Sequence, residues 1–512
     1  MSRDGAAAAS PAGAPRRSGA RRWIGLLGGP ALALLVWWLL PERYLDHASG
    51  EWVELAPAAR ATLAVMAWMA AWWLTEAIDI AATALLPIAL FPLLGIAKID
   101  EATAPYASSV IFLFFGGFVL ALSMQRWHLD RRIALAALRL VGTRPAHMIG
   151  GFMLATAGLS AFVSNTATAA LMLPIAASVL GLAGADAQDG EPPAESRRFA
   201  TGLMLAIAYS ASIGGLATIL GTPPNLFLVG YLREHQAIEV SFVGWLRVGL
   251  PLVAVLLPLT WWLLTRWLHP VGREPIPGAE EAIRGELRKL GRMSTGERVT
   301  LAVFALTAAA WICRPLLVAI EVGGTRPLAR LTDTGIAMTA ALALFVIPVE
   351  LRTRTFAMNW QTARTLPWGV LVLFGGGLTL ASAIERHGVA EFLGAQAHRF
   401  AGWPSFAVVL VVAAATIFLT ELTSNTATAA TLVPILAALA PGLGVPMLPL
   451  VIAATLAASC AFMLPVATPP NAIVFGSGRV SLPEMARTGL WLNLLAVLPV
   501  ALVAWLGLAF AS

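Results

Sequence analysis

The heptapeptide Ser164-Asn165-Thr166-Ala167-Thr168-Ala169-Ala170 returns 260 residues later as Ser424-Asn425-Thr426-Ala427-Thr428-Ala429-Ala430. Each copy is followed at the same distance by a proline, Pro174 and Pro434. Further on come Thr222-Pro223-Pro224-Asn225 and Thr468-Pro469-Pro470-Asn471. All four stretches lie in strongly apolar sequence. A chain that sets the same polar, helix-breaking residues twice into oily surroundings is built from two copies of one unit.

Those surroundings define the class. The sequence is 58% hydrophobic and 12% charged, about half the charge of a soluble domain, and many apolar runs reach the roughly 20 residues that cross a bilayer. Backbone inside a bilayer must satisfy its own hydrogen bonds, so such runs are helices. The reading is an all-α polytopic membrane protein. Its net charge of +6 is then explained by lysines and arginines in cytoplasmic loops, and no nucleic-acid partner is expected. Cys313 and Cys460 lie in separate apolar segments without His or Cys nearby, which predicts neither a disulfide nor a site for a transition metal.

Along the chain, residues 1–22 read as a disordered cytoplasmic tail with Arg16, Arg17, Arg21 and Arg22. The run 23–40 is long enough, with Trp37-Trp38, to be a retained helix rather than a cleaved signal ending near Ala48-Ser49-Gly50. An acidic linker to residue 57 is placed outside. The first repeat, 58–267, is expected to hold crossings at 58–77, 80–97 and 108–126. An interfacial amphipathic helix at 126–144 follows, then a hairpin at 146–183, a polar linker at 184–198, a broken crossing at 199–231 and a crossing at 243–267. A basic bridge, 268–298, leads to the second repeat, 299–512, with crossings at 299–320, 332–349 and 367–385. A hairpin at 404–440, a broken crossing at 446–476 and a last crossing at 485–510 complete it. The total is about 11 transmembrane helices plus two re-entrant hairpins.

Internal matches give the register of the duplication. Phe115-Gly116-Gly117 aligns with Phe374-Gly375-Gly376, 259 residues apart; the Ser-Asn-Thr copies lie 260 apart and the Thr-Pro-Pro-Asn copies 246 apart. The shortfall of 14 matches the polar linker 184–198, which the second half lacks. If each Ser-Asn-Thr stretch enters and leaves on one side, each repeat has five crossings, an odd number, and the second repeat is inverted. Arg126–Arg144, the bridge, Arg352, Arg354, Arg364, Arg479 and Arg487 then all fall on the cytoplasmic side of a plasma (inner) membrane. The amino end is cytoplasmic and the carboxyl end external. Inverted repeats with paired broken helices are the signature of a secondary transporter whose site lies at the bilayer midplane.

The residue types suit that role. Consecutive prolines remove two N–H donors, so 222–225 and 468–471 are expected to be unwound links with free carbonyls, and carbonyls suit Na⁺, a hard cation. Ser and Asn at each hairpin tip add side-chain oxygens. The helix that follows offers free N–H groups and a positive dipole end to a carboxylate. One such motif alone reads as a kink or a back-bonded hydroxyl; two motifs in both halves and in the same order read as a pocket for at least two Na⁺ and a dianion. Gly116-Gly117 and Gly375-Gly376 suit close packing or the site equally. Glu76 and Glu421 are placed near membrane ends, in structural or coupling roles.

Over residues 55–511 the doubled motifs resemble the divalent anion/sodium symporter family, which carries di- and tricarboxylates or sulfate. The resemblance implies an elevator-type transporter and a homodimer. The scaffold would comprise 23–126 and 299–385, and the mobile part the two hairpins with the crossings after them. By motif, Ser160, Ser164, Asn165 and the Gly221 carbonyl would hold one Na⁺. Thr420, the Thr423 carbonyl, Asn425 and the Ala467 carbonyl would hold the other. Ser164, Asn165, Thr166, Thr222, Ser424, Asn425, Thr426, Thr468 and Pro469 would surround a C4-dicarboxylate such as succinate, malate or fumarate. A small residue often stands where this sequence has Thr423, which matters only if more than its carbonyl is used. Citrate, tartrate or sulfate symport and Na⁺-independent exchange remain open. No His, Asp, Glu or Cys constellation converges near the motifs, so an enzyme is not expected.

Overall fold

The computed structural model describes residues 19–46, 50–184, 193–398 and 401–507. Residues 1–18 of the predicted tail lie outside them, and the first helix, α1 (Gly19–Leu39), begins four residues before the predicted crossing. It packs along α2 (Pro57–Thr75), and the linker between them forms a short antiparallel ribbon pairing Arg43–Leu45 with Trp52–Glu54. The crossing expected at 80–97 is split into α3 (Ile80–Thr83) and α4 (Leu86–Leu93). Pro87, which has no N–H to offer the Thr83 carbonyl, breaks the helical bonding there, while Pro92 lies inside α4. After α5 (Ile99–Thr103) comes α6 (Ser109–Arg126), and then α7 (Leu129–Arg139), the amphipathic helix, which buries Leu135 and Leu138.

Both hairpins are present. The first pairs α8 (Pro145–Ser160) with α9 (Asn165–Leu182), and a four-residue turn separates them. Both broken crossings are also present, but their breaks are displaced from the expected positions. In α10 (Ala194–Gly215) and α11 (Pro223–Gln236) the unwound segment is 216–222, and the two prolines open the second limb instead of forming the link. The reason is local. The first helical positions have no intrahelical N–H partner to lose, and proline's fixed φ suits them.

Next come α12 (Phe242–Trp262), whose first turn is capped by Ser241, and a π-helical turn at Leu263–Leu268. The bridge is more than a linker. It contains α13 (Ala279–Lys289), docked on α7 through Arg131–Glu286 at 2.7 Å, while Arg132 meets Glu297 at 2.5 Å.

The second half runs α14 (Thr295–Ala319), α15 (Asp333–Val346), a ribbon of Pro348–Glu350 with Thr355–Phe356, α16 (Trp360–Ala363), α17 (Trp368–Arg386) and α18 (Val389–Ala397). Its hairpin is α19 (Ser405–Thr420) with α20 (Asn425–Leu443). Its broken crossing is α21 (Met447–Ala458) with α22 (Pro469–Gly476), and α23 (Leu482–Leu506) is the last helix. Seven helices among the described residues are long and apolar enough to cross a membrane. In the second half the limbs of the broken crossing reach across only when joined, since the 12-residue α21 spans about 18 Å of a core about 30 Å thick.

Two groups of contacts organise these elements. In one, α6 packs on α15, and α17 packs on α3, α4 and α6. In the other, α10 lies on its own hairpin, α8 and α9, while α11 reaches over to α20 of the other half. The second half does the same: α21 lies on α19 and α20, and α22 reaches α9. The hairpins and broken helices are thereby interlocked.

The glycine pairs fit this packing, but in a shifted register. A side chain at Gly116 would strike the backbone of Ala337, and one at Gly376 would strike Ala84. Likewise Gly117 lies against Leu220 and Gly377 against Phe227. The helix ends fix the register: α6 stops at Arg126 and α17 at Arg386, the left-handed residues His128 and Gly388 follow, and α7 and α18 begin at Leu129 and Val389, so the true equivalents are 260 apart, the same offset as the Ser-Asn-Thr copies. The expected alignment was misled by a third glycine, Gly375–Gly377, in the second copy.

Candidate ion and anion site

Each Ser-Asn-Thr copy stands where a hairpin turns and its second helix begins. Ser164 is the N-cap of α9, accepting from the Ala167 N–H at 3.3 Å, and Asn165 is the first helical residue. Ser424 and Asn425 hold the same places on α20. These tips are partly open: Ser164, Thr166 and Pro469 are exposed, Asn165, Ser424 and Asn425 half-buried, and Thr222, Thr426 and Thr468 buried.

The oxygens then converge. Asn165 Oδ1 lies 2.7 Å from Ser160 Oγ, 3.2 Å from the Ala211 carbonyl oxygen and 3.3 Å from that of Gly221. Ser160 Oγ is itself 2.7 Å from the Ala211 oxygen. Ser160 Oγ donates within this set, and turning the amide over makes Nδ2 a donor to Ser160, Ala211 and Gly221; with Oδ1 inward, the same four oxygens are those a bound hard cation would draw on in place of these donors. Gly215 leaves the room for this, because a Cβ there would sit 2.7 Å from Asn165 Oδ1 and 3.1 Å from the Gly221 oxygen. The residues present fit Na⁺.

The second half repeats the part of this geometry that centres on the hydroxyl. Thr420 Oγ1 lies 2.8 Å from Asn425 Oδ1 and 2.9 Å from the Ala458 carbonyl oxygen. The breaks are held in matching ways. Asn225 Nδ2 donates to the carbonyls of Gly215 at 3.2 Å and Thr218 at 2.9 Å. Asn471 Nδ2 donates to those of Ala461 at 3.3 Å and Leu464 at 3.1 Å. Every pair in this comparison is 246 residues apart, so the asparagine of each Thr-Pro-Pro-Asn motif is the clamp of its own unwound segment.

Of the expected sodium ligands, Ser160, Asn165 and Gly221 are brought together, as are Thr420 and Asn425. The Ser164 hydroxyl is engaged as a helix cap. The Thr423 hydroxyl is turned into the hairpin, bonded to the Leu419 carbonyl at 3.0 Å and paired with Thr428 Oγ1 at 2.7 Å, which leaves only the Thr423 carbonyl for an ion. Ala467 is held in the turn before Thr468 by its N–H bond to the Leu464 carbonyl. The anion-site threonines differ between halves: Thr222 Oγ1 meets Ser459 Oγ at 3.4 Å, whereas Thr468 Oγ1 accepts from the Asn471 N–H.

Sequence reasoning missed the carbonyls of Ala211 and Ala458, since alanine carries no chemical signal. Their near-constant spacing from the motifs is the one clue. It also misplaced Glu421. That residue lies beside the second hairpin tip, is 3% exposed, and accepts from the N–H groups of Phe462 at 2.6 Å, Met463 at 2.9 Å and Leu464 at 3.1 Å and from Asn493 Nδ2 at 2.7 Å.

A family model described as the sodium:sulfate symporter transmembrane region matches residues 32–510. The chain belongs to that family. Its relatives include the sodium-dependent dicarboxylate transporter SdcS of Staphylococcus saprophyticus, 41% identical over 483 residues, with 94% of this chain and 90% of the relative covered. SdcS of Staphylococcus aureus strain USA300 is 42% identical over 485 residues with the same coverage. The fold is similar to the crystal structure of the Alcanivorax borkumensis YdaH transporter, with a TM-score of 0.60 over 97% of this chain and 99% of the other, at 14% identity. This symporter is thus a multi-pass membrane transporter and not an enzyme.

Proposed function

We propose that the symporter couples the inward movement of at least two Na⁺ to uptake of a divalent anion, a C4-dicarboxylate such as succinate, malate or fumarate. The observation that carries this reading is the paired oxygen cluster at Asn165 and Asn425. Each has a hydroxyl, a carboxamide and carbonyls of unwound or terminal helix, and each adjoins the N-terminus of a long helix. Ser164, Asn165 and the Gly221 carbonyl with Ser160 hold one ion, and Thr420, Asn425 and the carbonyls of Thr423 and Ala467 hold the other. Ser164, Asn165, Thr166, Thr222, Ser424, Asn425, Thr426, Thr468 and Pro469 receive the anion between the helix ends, and two bound cations neutralise it. The names of the staphylococcal relatives favour a dicarboxylate; the family description keeps sulfate as the second substrate to test. In proteoliposomes, succinate uptake is expected to rise at least about tenfold with an inward Na⁺ gradient over choline, in preference to citrate and sulfate. Equal uptake without sodium would point to exchange and remove the coupling.

Movement in this reading is of the elevator type, in a homodimer. The interlocked hairpins and broken helices slide against the α6 and α17 framework, and the two repeats are inverted with the amino end cytoplasmic. Polar contacts gather at one edge of that seam. Ser108 Oγ donates to Glu234 at 2.8 Å, His235 Nδ1 lies 3.2 Å from Glu385, and Arg314 meets Glu239 at 3.2 Å. His235→Gln breaks its contact with Glu385 and is expected to change the uptake rate by loosening this edge of the seam; a rate equal to that of the unsubstituted protein would exclude a role for the contact.

A further inference from the structure

The helices that follow the two broken crossings, α12 and α23, pack on each other. Where the bridge begins, α12 does not stop as an ordinary helix. Its continuation, Leu263–Leu268, is a π-helical turn. In an α-helix residues five apart point about 140° away from each other, whereas a π turn bonds each N–H to the carbonyl five back and brings residue i+5 above residue i. The residues brought together here are Trp262 and Trp267, with ring centroids 5.9 Å apart. Trp267 then meets Trp491 of α23 at 4.8 Å. His269 pins the end of the turn to α23, its Nε2 lying 2.9 Å from Thr488 Oγ1. All three indoles nonetheless stay exposed.

A tryptophan at a membrane surface ordinarily serves as an anchor, which needs neither a π turn nor a second ring. Two further features mark this place. Arg266 stands beside Trp267, and Arg487 stands one turn before Trp491 on α23; both are exposed. Among the described residues neither guanidinium has a hydrogen bond or an ion pair, unlike Arg131, Arg132 and Arg284, which meet carboxylates. Glu484, the carboxylate nearest in sequence to Arg487, is taken up by the start of α23, accepting from the Ser481 N–H at 2.9 Å and its hydroxyl at 2.6 Å. Beyond Trp491, Leu494, Leu498 and Leu502 recur every fourth residue as an exposed apolar ridge.

Both arginines fall at the ends of crossings, where headgroups lie. Paired cations there, flat rings beside them and an apolar ridge leading inward match the phosphate, glycerol and tail of one lipid. We infer that the ends of α12 and α23 form a binding site for an anionic phospholipid. Its phosphate lies between Arg266 and Arg487, its glycerol against the three indoles and one tail along the leucine ridge. Two guanidiniums favour a headgroup without a cation of its own. The inference needs only the multi-pass fold and stands apart from the sodium reading.

Native mass spectrometry of the delipidated full chain tests this. The first phosphatidylglycerol is expected to bind at least about tenfold tighter than phosphatidylcholine with the same tails. Arg266→Gln combined with Arg487→Gln should remove that preference. Arg139→Gln combined with Arg198→Gln, an equal change of charge at exposed positions elsewhere, should leave it. Trp267→Leu, which keeps an apolar side chain, should weaken the first binding at least about threefold. Trp38→Leu, at an exposed ring of α1, should not. Glycerol 3-phosphate at the concentration of the lipid should not compete.

Equal binding of the two phospholipids overturns the inference. So does a preference that survives the Arg266 and Arg487 substitutions, or one that falls as far with Arg139 and Arg198, as a merely basic surface would give. An unchanged first binding in Trp267→Leu removes the aromatic cluster from the site and the inference with it. Competition by glycerol 3-phosphate as strong as by lipid would make this a site for free phosphate, and the lipid would be withdrawn.

Discussion

Asn165→Ala and Asn425→Ala are each expected to reduce sodium-driven dicarboxylate uptake at least about a hundredfold while the protein is still inserted and folded. Each asparagine offers its oxygen to a cation cluster, with Ser160, Ala211 and Gly221 around one and Thr420 around the other. Each also begins the helix whose N-terminus receives the anion. A hydrogen bond or contact to a charged group contributes about 1.5–3 kcal/mol, and two lost together correspond to roughly 10²–10⁴ in apparent affinity. Folding should tolerate the change because both side chains are only half-buried. Asn359→Ala is a fitting control, since it removes only the cap of the short α16, which costs about 1 kcal/mol and lies away from both tips. Uptake near the unsubstituted level in either tip variant would withdraw the site.

The second large effect concerns sidedness. With inverted repeats, the base of the first hairpin faces the cytoplasm and the base of the second faces outward. Gln188, in the expected cytoplasmic linker, lies outside the described residues, so Arg144 beside α8 and Trp403 beside α19 are better reporters. Both are exposed. In a background lacking Cys313 and Cys460, Trp403→Cys is expected to react fully with an impermeant thiol reagent on whole cells. Arg144→Cys should react only after the cells are opened. Gly402, next to Trp403, has a φ of +99° and would be strained by any side chain, which is why the neighbouring position is used. The same labelling at both sites means parallel repeats, and the two-sodium pocket would lose its symmetry argument.

The helices and hairpins were legible because apolar length and doubled motifs are properties of the sequence itself. Positions that depend on backbone geometry were harder to read. Pro223-Pro224 announces a break but not on which side of it the break falls, and only the helix-end hydrogen-bond pattern places it at 216–222. Alanines 211 and 458 act through carbonyls, which every residue has. Glu421 was misjudged because a carboxylate in an apolar run reads as a membrane end until its four donors are seen. The glycine register failed for a simpler reason, one extra glycine that made a neighbouring alignment look equally good.

The corrected register has a consequence for ancestry. Phe114 and Phe374 are equivalent residues 260 apart, yet their rings touch each other edge-to-face with centroids 4.9 Å apart. A residue meets its own copy only where a two-fold axis passes, as in the contact between two identical chains. The centre of this molecule therefore keeps the form of a dimer interface. A half-length ancestor, inserted in both directions in one membrane and pairing with itself through this phenylalanine, would supply that form. Fusion of such a pair into one chain would allow the two halves to diverge, as at Ala161 and Glu421, 260 apart, since two identical subunits cannot differ at one site.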